Sequence, residues 1–183
     1  MVRWDISLFG SGGQGIIRGG QILGEAAVLE EGKDAVLTIA YGPEQIGGWS
    51  RADVVISDEP IDFPLIIKPD ILIVMSQEGL DRSWEEGRAP KKLLIYDSEL
   101  VDVSEVKGTK MVGLPATKIA EQLGRRIFAN IVMLGAFSEV TGIVRHESLL
   151  KVIRRKFPKA LELNERAFME GVRYVKEIGT IIR

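Results

Sequence analysis

Gly10, Gly12 and Gly15 stand at the spacing G-x-G-x-x-G, directly after an apolar run and before an apolar-periodic stretch. Glycine at this spacing suits phosphate chemistry. It allows positive φ in a tight turn and close approach of an anion to the backbone, and the helix that follows presents unpaired N–H groups. The stretch "GSGGQG" therefore nominates Gly10, Ser11, Gly12, Gly13, Gln14 and Gly15 as binding residues. The amides of residues 11–15 are expected to converge on one concavity that accepts a diphosphate or a carboxylate. A strand-to-helix turn that holds nothing is the alternative.

A second unusual loop, "YGPEQIGG", is deformable at its glycines and pinned at Pro43. It leaves the C-terminal end of the second expected strand, next to the strand that feeds the glycine turn, at the edge of an α/β sheet where ligands bind. That placement nominates Tyr41, Gly42, Glu44, Gly47 and Gly48. Tyr41 and Glu44 can touch a ligand, yet neither has a histidine or second carboxylate close in sequence for acid–base work. His146, the sole histidine, reads as an exposed helix-entry residue. Asn130 is a polar side chain within an apolar helix, so it either satisfies the core or supports the glycine turn from below. No catalytic residue and no metal ligand is assigned to this chain.

A dinucleotide-dependent dehydrogenase also needs an acidic residue closing the second strand, to bind the ribose hydroxyls. That strand ends "LTIAYG", with Ala40 and Tyr41 in the acid's place. A stand-alone NAD- or FAD-binding reductase is disfavoured on this point.

The elements that must position these residues follow from periodicity. Strands are expected at residues 4–9, 35–40, 50–57, 71–75, 93–96 and, more weakly, 110–112. Residues 50–57 alternate, and no helix fits between them and residues 35–40, so the two should pair antiparallel. A helix over 15–31 ends at Gly32, Ser76 caps a short helix, and Pro115 and Gly124 bracket another. A core helix over 127–140 and amphipathic helices over 147–157 and 161–178 follow, the last with Leu161, Phe168, Val172 and Val175 inward. Gly19, Gly20 and Gly24 each cost the first helix about 1 kcal/mol relative to Ala, which calls for close packing of a Gly20–Gly24 face on the chain's own sheet. Residues 82–92, "RSWEEGRAPKK", read as a solvated, mobile connection. The fold class is α/β: a three-layer αβα domain with a mixed, mostly parallel sheet and a C-terminal helical segment, one domain over residues 1–183.

Composition narrows the partners. Net charge is −2, with 24 Lys plus Arg against 26 Asp plus Glu, which gives no basic patch for nucleic acid. There is no cysteine, hence no disulfide, thiolate zinc site or ordinary iron–sulfur cluster. Neither a signal peptide nor a bilayer-spanning run is evident, so a cytoplasmic location without membrane contact is expected.

"GSGGQG", then "YGPE" and "GG", "NIVMLGA" at residues 130–136 and "NERAFMEG" at residues 164–171 together resemble the gamma subunit of 2-oxoacid:ferredoxin oxidoreductases. The similarity runs in order along nearly the whole chain. "VVISDEPIDFP" and "MSQE" look most like the 2-oxoglutarate member, with an aryl-pyruvate enzyme as the alternative relative. The family loop reads Y-G-P-E-x-R-G-G, and Ile46 stands here in place of the arginine, so an anion contact made by that arginine would be missing. The resemblance implies a complex that decarboxylates a 2-oxoacid on thiamine diphosphate, reduces ferredoxin through iron–sulfur clusters and transfers the acyl group to coenzyme A. It implies that thiamine diphosphate belongs to alpha and beta subunits and the clusters to a delta subunit, with ferredoxin reached indirectly. Coenzyme A, which carries a diphosphate, is the ligand expected at the glycine turn, at a subunit interface. A homodimer of the isolated chain stays open, as does a purely structural module.

Overall fold

β-branched and leucine-rich runs build the centre of the molecule. The computed structural model describes residues 2–44 and 47–181. Six strands form one sheet: β1 (Arg3–Ser11), β2 (Asp34–Tyr41), β3 (Trp49–Ser57), β4 (Ile71–Val74), β5 (Leu93–Asp97) and β6 (Lys110–Leu114). Their order is β2-β3-β1-β4-β5-β6. The sheet is mixed: β3 runs antiparallel to both β1 and β2, while β1, β4, β5 and β6 are mutually parallel.

This order corrects one expectation. β2 is not the neighbour of β1, because β3 is inserted between them. The end of β2 therefore stands two strand spacings, about 10 Å, from the strand that feeds the glycine turn. An acid at the end of β2 would be misplaced for the ribose of a dinucleotide.

The helices are α1 (Ile16–Glu31), α2 (Gln77–Glu85), α3 (Ala116–Gln122), α4 (Ala129–Thr141), α5 (His146–Lys156) and α6 (Leu161–Ile181). One sheet face, carrying Ile6, Leu8, Val54, Ile71, Ile73 and Ile95, packs under α1, α3, α4, α5 and α6. The other, carrying Phe9, Leu72, Val74 and Leu94, packs under α2 and the segment of Val101 and Val106. β4 is buried at all four residues, as a strand covered on both sides must be.

Local signals act as expected at several points. Ser76 Oγ accepts the Gly79 N–H at 3.0 Å and caps α2. Gly32 ends α1 in the left-handed region at φ 65°. A Cβ on Gly20 would lie 2.7 Å from the Ala52 Cβ, so the glycine face of α1 does press on the sheet.

Two other expectations fail. Leu161 is exposed at the first residue of α6. Ile127 precedes α4 in a short 3-10 turn, Arg126–Phe128, and is 44% exposed.

The alternation of β3 also misleads, because both of its faces are covered. Asp53, only 3% exposed, lies beneath α2, where Ser7 Oγ donates to it at 2.6 Å and Arg88 NH1 at 3.1 Å. Arg51 Nε approaches the same carboxylate at 3.2 Å. Arg51 and Arg82 both hold Glu86, Arg82 at 2.8 Å. Residues 82–92 are thus not a loose solvated connection but the rim of a buried ion network.

Candidate functional site

Both glycine loops sit at the C-terminal edge of β1 and β2, and they touch. The Gly12 N–H donates to the Gly48 carbonyl at 2.7 Å, and Gly42 N–H donates to Trp49 O at 2.8 Å, which closes the β2–β3 loop at its base. A Cβ on Gly12 would lie in ordinary contact with the Gly47 and Gly48 backbone, at 3.4 Å, so any side chain there would rest directly on the second loop. Gly15, the residue before α1, takes φ 76°, a conformation that costs other residues strain.

Gln14 and Asn130 brace the turn. Gln14 Oε1 accepts the Ser11 N–H at 2.7 Å, and Gln14 Nε2 donates to Met75 O at 2.6 Å, fastening the turn to the end of β4. Asn130 Nδ2 donates to Gly15 O at 3.1 Å, so the asparagine does support the turn from beneath. The expectation that all five amides converge on an anion needs correction. Those of Ser11, Gly12 and Gln14 are spent inside the protein. Among the described residues the N–H groups of Gly13, Gly15 and the first turn of α1, Ile16 to Arg18, have no partner, and the positive end of the helix dipole lies there.

Between the two loops and the helical layer lies a cleft of about 680 Å³, within the range of small-molecule sites. Of the residues nominated from sequence, Gly12, Gly13, Gly15, Tyr41, Gly42, Glu44, Gly47 and Gly48 line it. Ser11 and Gln14 line instead a smaller, more polar hollow of about 480 Å³ on the other side of the turn. Gly10 lines neither: it is buried at the end of β1, where a Cβ would run into Gln14 and Ile16. The departure at Ile46 lies outside the described residues.

The helices bring residues the glycine motifs did not announce. Arg18 and Arg125, both exposed and free of carboxylate partners among the described residues, stand at the cleft. The Arg18 guanidinium lies over the Phe157 ring at 5.8 Å, and Phe157, Phe128 and Ile131 form apolar wall. Trp49 forms wall on the loop side and is stacked by Arg82 at 4.8 Å. Asn164, 2% exposed, opens onto the same cleft from the start of α6.

Among the described residues that line the cleft, Glu44 is the one carboxylate and there is no histidine. His146 is remote from the cleft, its Nε2 3.2 Å from Glu139 and its ring against Phe168. It opens α5 as expected, but is half-buried in this contact rather than exposed. Burial pushes the Asp53 carboxyl up from its ordinary value, opposed by the Ser7 hydroxyl and the Arg51 and Arg88 guanidiniums, but this group lies under the sheet. Among the described residues no cluster of histidine and acidic side chains could hold a metal, and no helix is long and apolar enough to cross a membrane.

Residues 5–174 match the family model described as pyruvate ferredoxin/flavodoxin oxidoreductase. The chain is 46% identical over 181 residues, 97% of its length and 96% of the relative's, to the 2-oxoglutarate synthase subunit KorC of Methanocaldococcus jannaschii. The solved gamma subunit of a keto/oxoacid ferredoxin oxidoreductase from Geobacter sulfurreducens is 35% identical, with a TM-score of 0.86 over 97% of this chain and 98% of that one. The 2-oxoglutarate:ferredoxin oxidoreductase of Magnetococcus marinus, solved with 2-oxoglutarate, coenzyme A and succinyl-CoA bound, shares the fold. Its TM-score is 0.87 at 23% identity, over 97% of this chain and 32% of that one. The chain belongs to the pyruvate ferredoxin/flavodoxin oxidoreductase family.

Proposed function

We propose that the chain is the gamma-type subunit of a 2-oxoglutarate:ferredoxin oxidoreductase and that its two-loop cleft holds coenzyme A for the complex. The oxoacid is carried over from the relative 46% identical along nearly the full length of both chains. The assignment of the cleft rests chiefly on one observation. Gly12 and Gly48 join the two loops beside the unpaired amides at the start of α1, with Arg18 and Arg125 at the same cleft. N–H groups unpaired among the described residues, a helix dipole and two guanidiniums without a described carboxylate partner suit the phosphates of coenzyme A, and no ribose-binding acid is required of it.

The cleft offers no acid–base pair, so the chemistry belongs to partner subunits and this chain positions a substrate. Without a cysteine the chain does not fit an iron–sulfur cluster. On this proposal the clusters, and with them thiamine diphosphate, belong to the partner subunits of a cytoplasmic complex. The decisive experiment purifies the complex through a tag on this chain and measures viologen reduction. Reduction that requires both 2-oxoglutarate and coenzyme A, with none from the isolated chain, is the expected result. Capture of no partner, or turnover of pyruvate in preference to 2-oxoglutarate, overturns the assignment.

A further inference from the structure

Trp49, Arg51 and Asp53 alternate along β3 and so share one face of the sheet, the face beneath α2. A run of ion pairs links them. Asp53, deeply buried, is held by the Arg88 guanidinium at 3.1 Å and approached by Arg51 Nε at 3.2 Å. Arg51 and Arg88 both reach Glu86 Oε2, Arg88 at 3.3 Å. The other oxygen, Glu86 Oε1, accepts Arg82 Nε at 2.8 Å. The Arg82 guanidinium lies in turn over the Trp49 ring, 4.8 Å from its centroid. Contacts therefore run without a break from the middle of the sheet to the wall of the cleft, which Trp49 lines.

The two ends of this run serve different needs. Arg51 and Arg88 neutralise a buried carboxylate, and the fold requires them. Arg82 has a side chain 39% exposed, where an ion pair contributes little to stability. Its place over the ring is the more informative fact. Trp49 is where the second loop rejoins the sheet: its carbonyl accepts the Gly42 N–H at 2.8 Å, and the carbonyl before it accepts the Gly12 N–H at 2.7 Å. The ring lies so near Gly42 that a Cβ there would come within 3.0 Å of it. Gly42, Gly47 and Gly48 offer no side chain to hold the indole, so the planar cation from α2, itself fixed by Glu86, sets its pose.

We infer that Arg82, which does not itself line the cleft, is a positioning residue: by stacking on Trp49 it fixes the loop-side wall and with it the affinity of the complex for coenzyme A. This rests on the proposed function and deepens it.

The test is a double-substitution cycle in the assembled complex. Arg82→Ala, and Arg82→Met, which keeps the apolar stem and loses the cation, are each made alone and together with Trp49→Leu. Either Arg82 substitution alone is expected to raise KM for coenzyme A about two- to fivefold, the affinity ratio of one exposed cation–π contact. KM for 2-oxoglutarate and kcat should stay as they are. With Trp49→Leu already present, the Arg82 substitutions should add nothing, because residues that act through one contact are not additive. An unchanged KM for coenzyme A in both Arg82 variants, or a rise of the same size with Trp49→Leu present, overturns the positioning role and leaves coenzyme A binding intact. A loss of kcat of equal size with and without Trp49→Leu overturns it as well, since that marks a purely structural role. Turnover of the unsubstituted complex that does not depend on coenzyme A overturns the proposed function together with the inference.

Discussion

Gly12 shows how a single residue can matter more to the site than to the fold. Its N–H reaches Gly48 O at 2.7 Å and a branched side chain there would press on the second loop, yet it lies exposed at the surface. Gly12→Val should lower the thermal midpoint of the isolated chain by only a few degrees, the effect of about 1 kcal/mol or less at an exposed position. Coenzyme A affinity of the complex should fall at least tenfold. A large loss of midpoint with unchanged affinity would mean that the glycines serve packing. Arg88 is the opposite case. It holds the buried Asp53 carboxylate at 3.1 Å, and removing one partner of a buried pair costs about 3 kcal/mol or more. Arg88→Ala should therefore destabilise the chain by roughly that amount in denaturant titration, softened where Arg51 still faces Asp53. The glycine loops were legible in the sequence because their spacing is local. The Asp53–Arg88–Glu86 network was not: its members stand up to 35 residues apart, and charged residues between elements look solvated until the fold covers them.

The helices carry the next scale. Motif "NIVMLGA" places Asn130 at the cleft and Gly135 against the Phe168 backbone, while "NERAFMEG" places Asn164 at the cleft and Gly171 against the Val132 backbone. Each motif thus couples a polar residue at the site to the glycine that lets α4 and α6 cross closely. Gly171→Ala should cost about 1–3 kcal/mol, since the added methyl meets backbone that cannot yield, and its thermal midpoint measures the loss. The strands and helices were readable from periodicity almost throughout. Arg18, Phe157 and Asn164 were not read as site residues, because only the packing of α1, α5 and α6 collects them at one cleft.

A pH effect belongs to the α1–α5 contact. Burial pushes Glu31 up, but the Arg145 N–H at 2.7 Å, the Ser148 hydroxyl and the Lys33 ammonium outweigh it, so its carboxyl ends below the usual 4.5. A group depressed in the folded state stabilises above its unfolded value and loses that contribution as pH falls through the folded one. The midpoint difference between the wild type and Glu31→Gln should be present near neutral pH and vanish as the pH drops below 4.5. A difference that persists in acid would show that Glu31 acts by shape rather than charge.

At the scale of the whole molecule, most of the residues nominated for binding collect on one side of the sheet. One sheet edge gathers both loops, the start of α1 and two arginines that have no carboxylate partner among the described residues, while His146 and the buried ion network lie elsewhere. The fold class was legible because the apolar runs alternate with amphipathic segments. The insertion of β3 between β1 and β2 was not, since antiparallel pairing of a hairpin says nothing of which strand meets β1. The central claim, that this cleft holds coenzyme A, is tested most directly by the kinetics of complexes reconstituted with Arg18→Ala plus Arg125→Ala in this subunit. Each lost phosphate contact is worth about 1.5 kcal/mol or more, so KM for coenzyme A should rise at least tenfold, with KM for 2-oxoglutarate unchanged. An unaltered KM for coenzyme A in a fully assembled complex would contradict it.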